Sequence, residues 1–161
     1  MKGGICLGIQ VIKREETKVV GISWNGTYSE MSTIPELFTK MRERLNEVSH
    51  QTREPFLIAP FHSRETEFTY YVTKPVEKLD EIPEGMIGFT IPGKNYVNTV
   101  HKGSLENVLE TYNRLFAWME EYGYERDHYA LCLEIFKEEH KLQNGLDDLH
   151  FEIYVPVKTY K

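Results

Sequence analysis

Several things are scarce in this chain of 161 residues. Cysteine occurs only at Cys6 and Cys132. Two distant thiols exclude a disulfide framework as the organising device and read as free thiols in a reducing compartment, with the cytoplasm as the default. No apolar run approaches the roughly 20 residues that cross a bilayer. The stretch Gly3 to Ile12 is short, alternates like a strand and lacks a small-residue cleavage site, so it does not read as a signal peptide, and no membrane association is expected. Positive charge is short as well: 19 Lys and Arg stand against 25 Asp and Glu, a net charge of −6. Without a basic stripe to neutralise phosphates, direct nucleic-acid binding is not expected, and cationic or neutral partners suit the balance better. Glycine-rich phosphate loops and the Gly-x-Ser-x-Gly nucleophile turn are absent, which leaves nucleotide-dependent and serine-hydrolase chemistry without a basis. The six histidines show no helical His-x-x-x-His pair, and no Cys-x-x-Cys accompanies them; neither a metal site nor a cofactor is implied.

What is present describes one globular domain over residues 1–161, with 40% apolar and 12% aromatic residues. The chain repeats itself. A shift of 77 places lays Lys18-Val19-Val20 through Asn25-Gly26 on Asn95-Tyr96-Val97 through Lys102-Gly103, an extended segment ending in a glycine turn each time. A helical stripe follows each turn. The first, over Ser32 to Val48, carries Ile34, Leu37, Phe38, Met41 and Leu45, with Pro35 in the first turn where proline is tolerated. The second starts from Ser104 as N-cap and carries Val108, Leu109, Tyr112, Leu115, Phe116, Met119 and Tyr122 up to Gly123.

Alternating apolar patterns around the helices predict strands at Ile5 to Ile12, Lys18 to Asn25, Pro55 to His62, Glu67 to Thr73, Met86 to Ile91, Tyr96 to His101, Ala130 to Phe136 and His150 to Val157. The first two are expected to form a hairpin across Arg14-Glu15-Glu16. Each half is then ββαββ, the first over about 5–74 and the second over about 84–158, joined by a polar connector at about 75–83; Lys137 to Leu149 reads as a polar excursion. The expected fold class is α+β: a curved, largely antiparallel sheet with two helices and a ligand cleft at the pseudo-two-fold seam.

Glu134 interrupts the apolar run Ala130-Leu131-Cys132-Leu133-Glu134-Ile135-Phe136, on the face it shares with Cys132 and Phe136. An ionised carboxylate withdrawn from water has to be protonated, paired, or waiting for a cation. An internal salt bridge is the plain alternative to a binding site. Trp24, Tyr28, Phe61, Tyr71, Tyr96, Trp118, Phe136 and Tyr154 supply flat apolar faces that can hold a cation or aromatic ligand, although core packing explains any one of them as well.

The order Ile91-Pro92-Gly93-Lys94-Asn95-Tyr96, His101-Lys102-Gly103-Ser104, Thr111-Tyr112 with Trp118, Leu133-Glu134-Ile135-Phe136 and Ile153-Tyr154-Val155-Pro156-Val157 resembles the gyrase-inhibitor-like (GyrI-like) small-molecule-binding domain. Val20-Gly21-Ile22-Ser23, Ile34-Pro35-Glu36-Leu37-Phe38 and Pro83-Glu84-Gly85-Met86 also fit. The resemblance implies the duplicated ββαββ fold and a pocket between the halves for hydrophobic, often cationic, small molecules, with Glu134 at its base. Many relatives have tyrosine two residues after the acid; here Phe136 keeps the apolar wall without the hydroxyl. The family's domains occur alone or behind a DNA-binding helix-turn-helix in multidrug-sensing transcription activators of AraC and MerR type, and a chain of this length leaves no room for that head. A stand-alone effector-binding or sequestering module is therefore the leading expectation. The resemblance also implies a rival, small-molecule hydrolysis with Glu134 as general base and Tyr96 or Tyr71 as its partner. Inhibition of a larger protein such as a topoisomerase follows from the family name alone.

Overall fold

The computed structural model of the protein describes residues 8–137 and 149–158. Strands β1 (Gln10–Arg14) and β2 (Thr17–Thr27) precede a 3-10 turn and helix α1 (Ile34–Glu43); β3 (Leu57–Ser63) and β4 (Glu67–Val76) complete the first half. The second half is β5 (Ile87–Ile91), β6 (Lys94–Gly103), helix α2 (Val108–Glu121), β7 (Cys132–Phe136) and β8 (Leu149–Pro156). The stretch at 138–148, with most of the expected polar excursion, lies outside the described residues, as do Ile5, Cys6 and Leu7 of the first expected strand.

All eight strands form one sheet in the order β1-β6-β8-β7-β3-β4-β2-β5, antiparallel throughout. Exchanging each strand for its counterpart in the other half reverses this order onto itself, so a pseudo-two-fold axis passes between β3 and β7. The registers place the axis more finely. Gly21↔Thr73 and Ile58↔Thr73 in the first half correspond to Asn98↔Tyr154 and Leu133↔Tyr154 in the second. By that correspondence Ala59 is the counterpart of Glu134, and the two face each other directly across the β3–β7 pairing.

The hairpin expected between the first two strands does not form. β1 pairs with β6, and β5 with β2, so the first strand of each half crosses to the other half. Glu15-Glu16 offers neither glycine nor asparagine for the positive φ angles of a tight two-residue hairpin turn, and the chain passes on instead of folding back. At the crossing the β5–β6 link lies against the β1–β2 link: a Cβ on Gly93 would sit 3.1 Å from the Arg14 carbonyl oxygen. The helices are also shorter than their stripes, since 3-10 turns at Leu45–Glu47 and Leu105–Asn107 take up their ends.

Alternation along the strands gives the sheet two apolar faces. One packs under the helices, where Leu37, Phe38 and Met41 of α1 and Leu115, Trp118 and Met119 of α2 meet Tyr70, Val72, Ala59, Phe136 and Ile153. The other carries a smaller core of Val19, Ile58, Ile91, Tyr96, Leu133, Ile135 and Tyr154.

Candidate functional site

β7 is buried along its whole length, and its alternation turns Cys132, Glu134 and Phe136 toward the helices while Leu133 and Ile135 enter the smaller core. Glu134 is only 9% exposed, at the centre of the sheet and on the pseudo-two-fold axis. Its counterpart there is small: Ala59 sets only a methyl opposite the carboxylate, where a second acid would set two like charges face to face.

The carboxylate is held by two phenols. Tyr70 on β4 donates to Oε1 at 2.6 Å, and Tyr112 on α2 donates to Oε2 at 2.7 Å. Among the described residues no Lys, Arg or His forms an ion pair with it. Burial holds the Glu134 carboxyl above its usual range, and the Tyr112 and Tyr70 hydrogen bonds pull it part of the way back. Burial, and then the charge of Glu134, push both phenols well above 10, so at neutral pH they remain donors. Burial likewise pushes the Cys132 thiol up to about 11, which suits an inert structural thiol.

Aromatic rings wall the acid. Phe61 stacks on Tyr70 at 5.8 Å and meets Tyr112 edge-on at 6.2 Å. Phe38 of α1 lies 6.1 Å from Tyr70 and 4.9 Å from Phe136, which continues to Phe151 at 5.1 Å. Trp24 and Tyr28 are one ring further out, each 5.1 Å from Phe68, and Phe68 sits 6.5 Å from Tyr70. Trp118 packs between Tyr122 at 4.8 Å and Tyr124 at 5.5 Å.

Of the residues singled out from the sequence, the fold thus gathers Glu134, Phe61 and Phe136, with Trp24, Tyr28 and Trp118 on the same side of the sheet. Tyr71, Tyr96 and Tyr154 stand on the opposite side, which corrects their placement beside the acid. Tyr96 and Tyr154 meet edge-on at 5.8 Å in the smaller core, and Tyr71 packs 5.1 Å from Phe89. Burial pushes both core phenols up to about 12. The reason is the pleat: neighbours on a strand face opposite ways, so of the tandem Tyr70-Tyr71 only one can reach Glu134. Sequence reasoning chose the wrong one. A signal was there, since Phe68-Tyr70-Val72 is the more apolar alternate set on β4 and belongs under the helices. Tyr112 stood in the apolar stripe of α2, where nothing local separates a core tyrosine from one aimed at a carboxylate.

A duplicated α+β domain with one acid on its internal axis, ringed by aromatics and paired with no base among the described residues, has the architecture of a small-molecule-binding domain. The sequence profile of the GyrI-like small molecule binding domain matches residues 8–158, and the chain belongs to that family. The transcriptional regulator BrlR of Pseudomonas aeruginosa is 24% identical over 110 residues, which cover 67% of this chain and 40% of BrlR. The matched stretch is thus less than half of that relative. Among solved structures, SAV2435 bound to tetraphenylphosphonium superposes with a TM-score of 0.72 at 12% identity, covering 93% of each chain. The C-terminal domain of EcmrR superposes with a TM-score of 0.69 at 18% identity over 94% of this chain and 98% of that domain. At these identities the likeness to the solved structures concerns the fold.

Proposed function

We propose that the protein binds hydrophobic, positively charged small molecules over Glu134, in an effector-sensing or sequestering role linked to transcription regulation. One observation carries the reading: a buried carboxylate has two phenol donors and no cationic partner among the described residues. Phenols satisfy its lone pairs without neutralising its charge, so a ligand cation seated among the rings gains the full ion pair in a medium of low polarity. The tetraphenylphosphonium on SAV2435 supports the chemical class. The net charge of −6 supports a cationic small molecule over nucleic acid as the direct partner.

Calorimetric titration tests it with tetraphenylphosphonium and tetraphenylborate, which share a shape and differ in the sign of their charge. Tetraphenylphosphonium should bind and tetraphenylborate should not. Glu134→Gln should weaken the cation by about 2–5 kcal/mol, the scale for truncating one partner of a buried charge pair. Equal affinity for the two ions, or an unchanged affinity in the variant, would sink the proposal.

Hydrolysis is the second reading, favoured by one feature: a carboxyl whose pKa is raised by burial and which touches a tyrosine hydroxyl at 2.6 Å is equipped as a general base. Multiple turnovers of a small strained electrophile, lost in Glu134→Gln, would establish it. With Tyr71 and Tyr96 on the other side of the sheet, Tyr70 and Tyr112 are the phenols available to that chemistry.

A further inference from the structure

Beside the C-terminal end of α2 lies an open groove of about 530 Å³. Phe116 and Met119 of the helix and Tyr124 and Arg126 of the following segment line it, with Glu120 and Glu125 along its edge. Two of these side chains also touch the shell of the Glu134 site. Phe116 packs on Tyr112 with ring centroids 6.0 Å apart. The Arg126 guanidinium lies 5.3 Å over the Phe116 ring and reaches inward, where Nη2 donates to Ser63 Oγ at 3.2 Å and to Cys132 Sγ at 3.4 Å. Cys132 precedes Glu134 by one strand repeat on the same face of β7, a step of about 7 Å. The layer formed by Phe116 and Arg126 therefore stands between the groove and the acid.

Arg126 closes that layer imperfectly. Its Nε–H is buried and has no acceptor among the described residues, a standing cost that disappears when the guanidinium turns outward into the water of the groove. We propose that the groove is the vestibule through which lipophilic cations reach Glu134, and that Arg126 is the gate. This rests on the reading of Glu134 as the counter-charge of a bound cation. Glu125 is paired with Lys158 at 2.9 Å, so it is the Glu120 carboxylate that draws cations to the groove, and the faces of Phe116 and Tyr124 receive them. The positive charge of Arg126 opposes passage until the side chain swings aside, so the gate sets the rates of arrival and departure more than the final affinity.

Stopped-flow tryptophan fluorescence with tetraphenylphosphonium tests this in a Cys6→Ser background. Arg126→Ala should raise the association and dissociation rates together, on the order of tenfold, and shift Kd by less than about threefold. Glu120→Lys, at the edge and away from the acid, should slow association several-fold at low salt and lose that effect at high salt. N-ethylmaleimide supplies a readout without ligand: Cys132, directly behind Arg126, should label on the order of tenfold faster in Arg126→Ala and be protected by saturating tetraphenylphosphonium. Should Arg126→Ala fail to fold, Arg126→Lys and Glu120→Lys carry the kinetic test. Binding that depends on Glu134 but has rates indifferent to these substitutions would overturn the gate and leave the ligand reading standing. Binding that survives Glu134→Gln would overturn both.

Discussion

At the scale of single residues, the chemistry is concentrated in the triad of Glu134, Tyr70 and Tyr112. A hydrogen bond to a charged group contributes about 1.5–3 kcal/mol, and 1.36 kcal/mol corresponds to one pH unit. Removing one phenol therefore lifts the Glu134 carboxyl further above its usual range, because one of the two hydrogen bonds that pull it down is gone. On the proposed reading a bound cation needs the ionised acid, so affinity should fall as pH drops through the folded-state value. In Tyr112→Phe or Tyr70→Phe that fall should begin at a higher pH, which Kd measured from pH 4 to 8 would show. An unmoved profile would mean that the phenols do not hold the carboxylate. Ala59, on the internal axis directly opposite the acid, places a methyl where a second carboxylate would repel Glu134.

At the scale of elements, the critical ladders are those that bring β3, β4 and β7 under the helices. The tightest point is Gly21 on β2, paired with Thr73 on β4. A Cβ there would collide with the Val72 carbonyl oxygen, which is backbone and cannot swing away. Gly21→Ala should therefore destabilise the domain by about 3 kcal/mol or more, at or above the upper end for overpacking, by forcing β2 from β4 and displacing Tyr70 with it. Denaturant unfolding measures the loss; a change under about 1 kcal/mol would show that the two strands separate without cost. Fold class, helix positions and the duplicated ββαββ order were legible in the pattern of apolar residues. The crossover of β1 and β5 was not, because a strand's pattern of alternation is the same whichever neighbour it pairs with.

At the scale of the whole molecule, the buried tyrosines couple the two faces of the sheet to pH. Tyr70 and Tyr112 under the helices are pushed well above 10, and Tyr96 and Tyr154 in the smaller core up to about 12. A phenol whose pKa is higher in the folded chain favours folding below the unfolded value of about 10, and that contribution is lost as pH rises through the folded value. Alkaline titration followed by tyrosinate absorbance at 295 nm should show these four of the ten tyrosines silent at pH 11 and released together with unfolding. Smooth titration of all ten near pH 10 in a protein that stays folded would contradict the burial of both groups. Among the described residues no helix is long and apolar enough to cross a membrane, and none of their His, Cys, Asp and Glu side chains cluster as a metal site.

By itself the sequence determined what is local and periodic: strands of period two, two amphipathic helices, a repeat that lays β2 on β6, and an acid in a run too apolar to leave it solvated. Burial of alternate apolar positions dictates those features whatever the chain does at long range. Only the tertiary structure decided which phenols reach Glu134, that Ala59 lies opposite it, and that Tyr71, Tyr96 and Tyr154 face away. Those outcomes depend on strand pairing and register between residues dozens of positions apart. A shift of one residue turns every side chain of a strand to the other face, and no local pattern records which of two adjacent tyrosines will meet the acid.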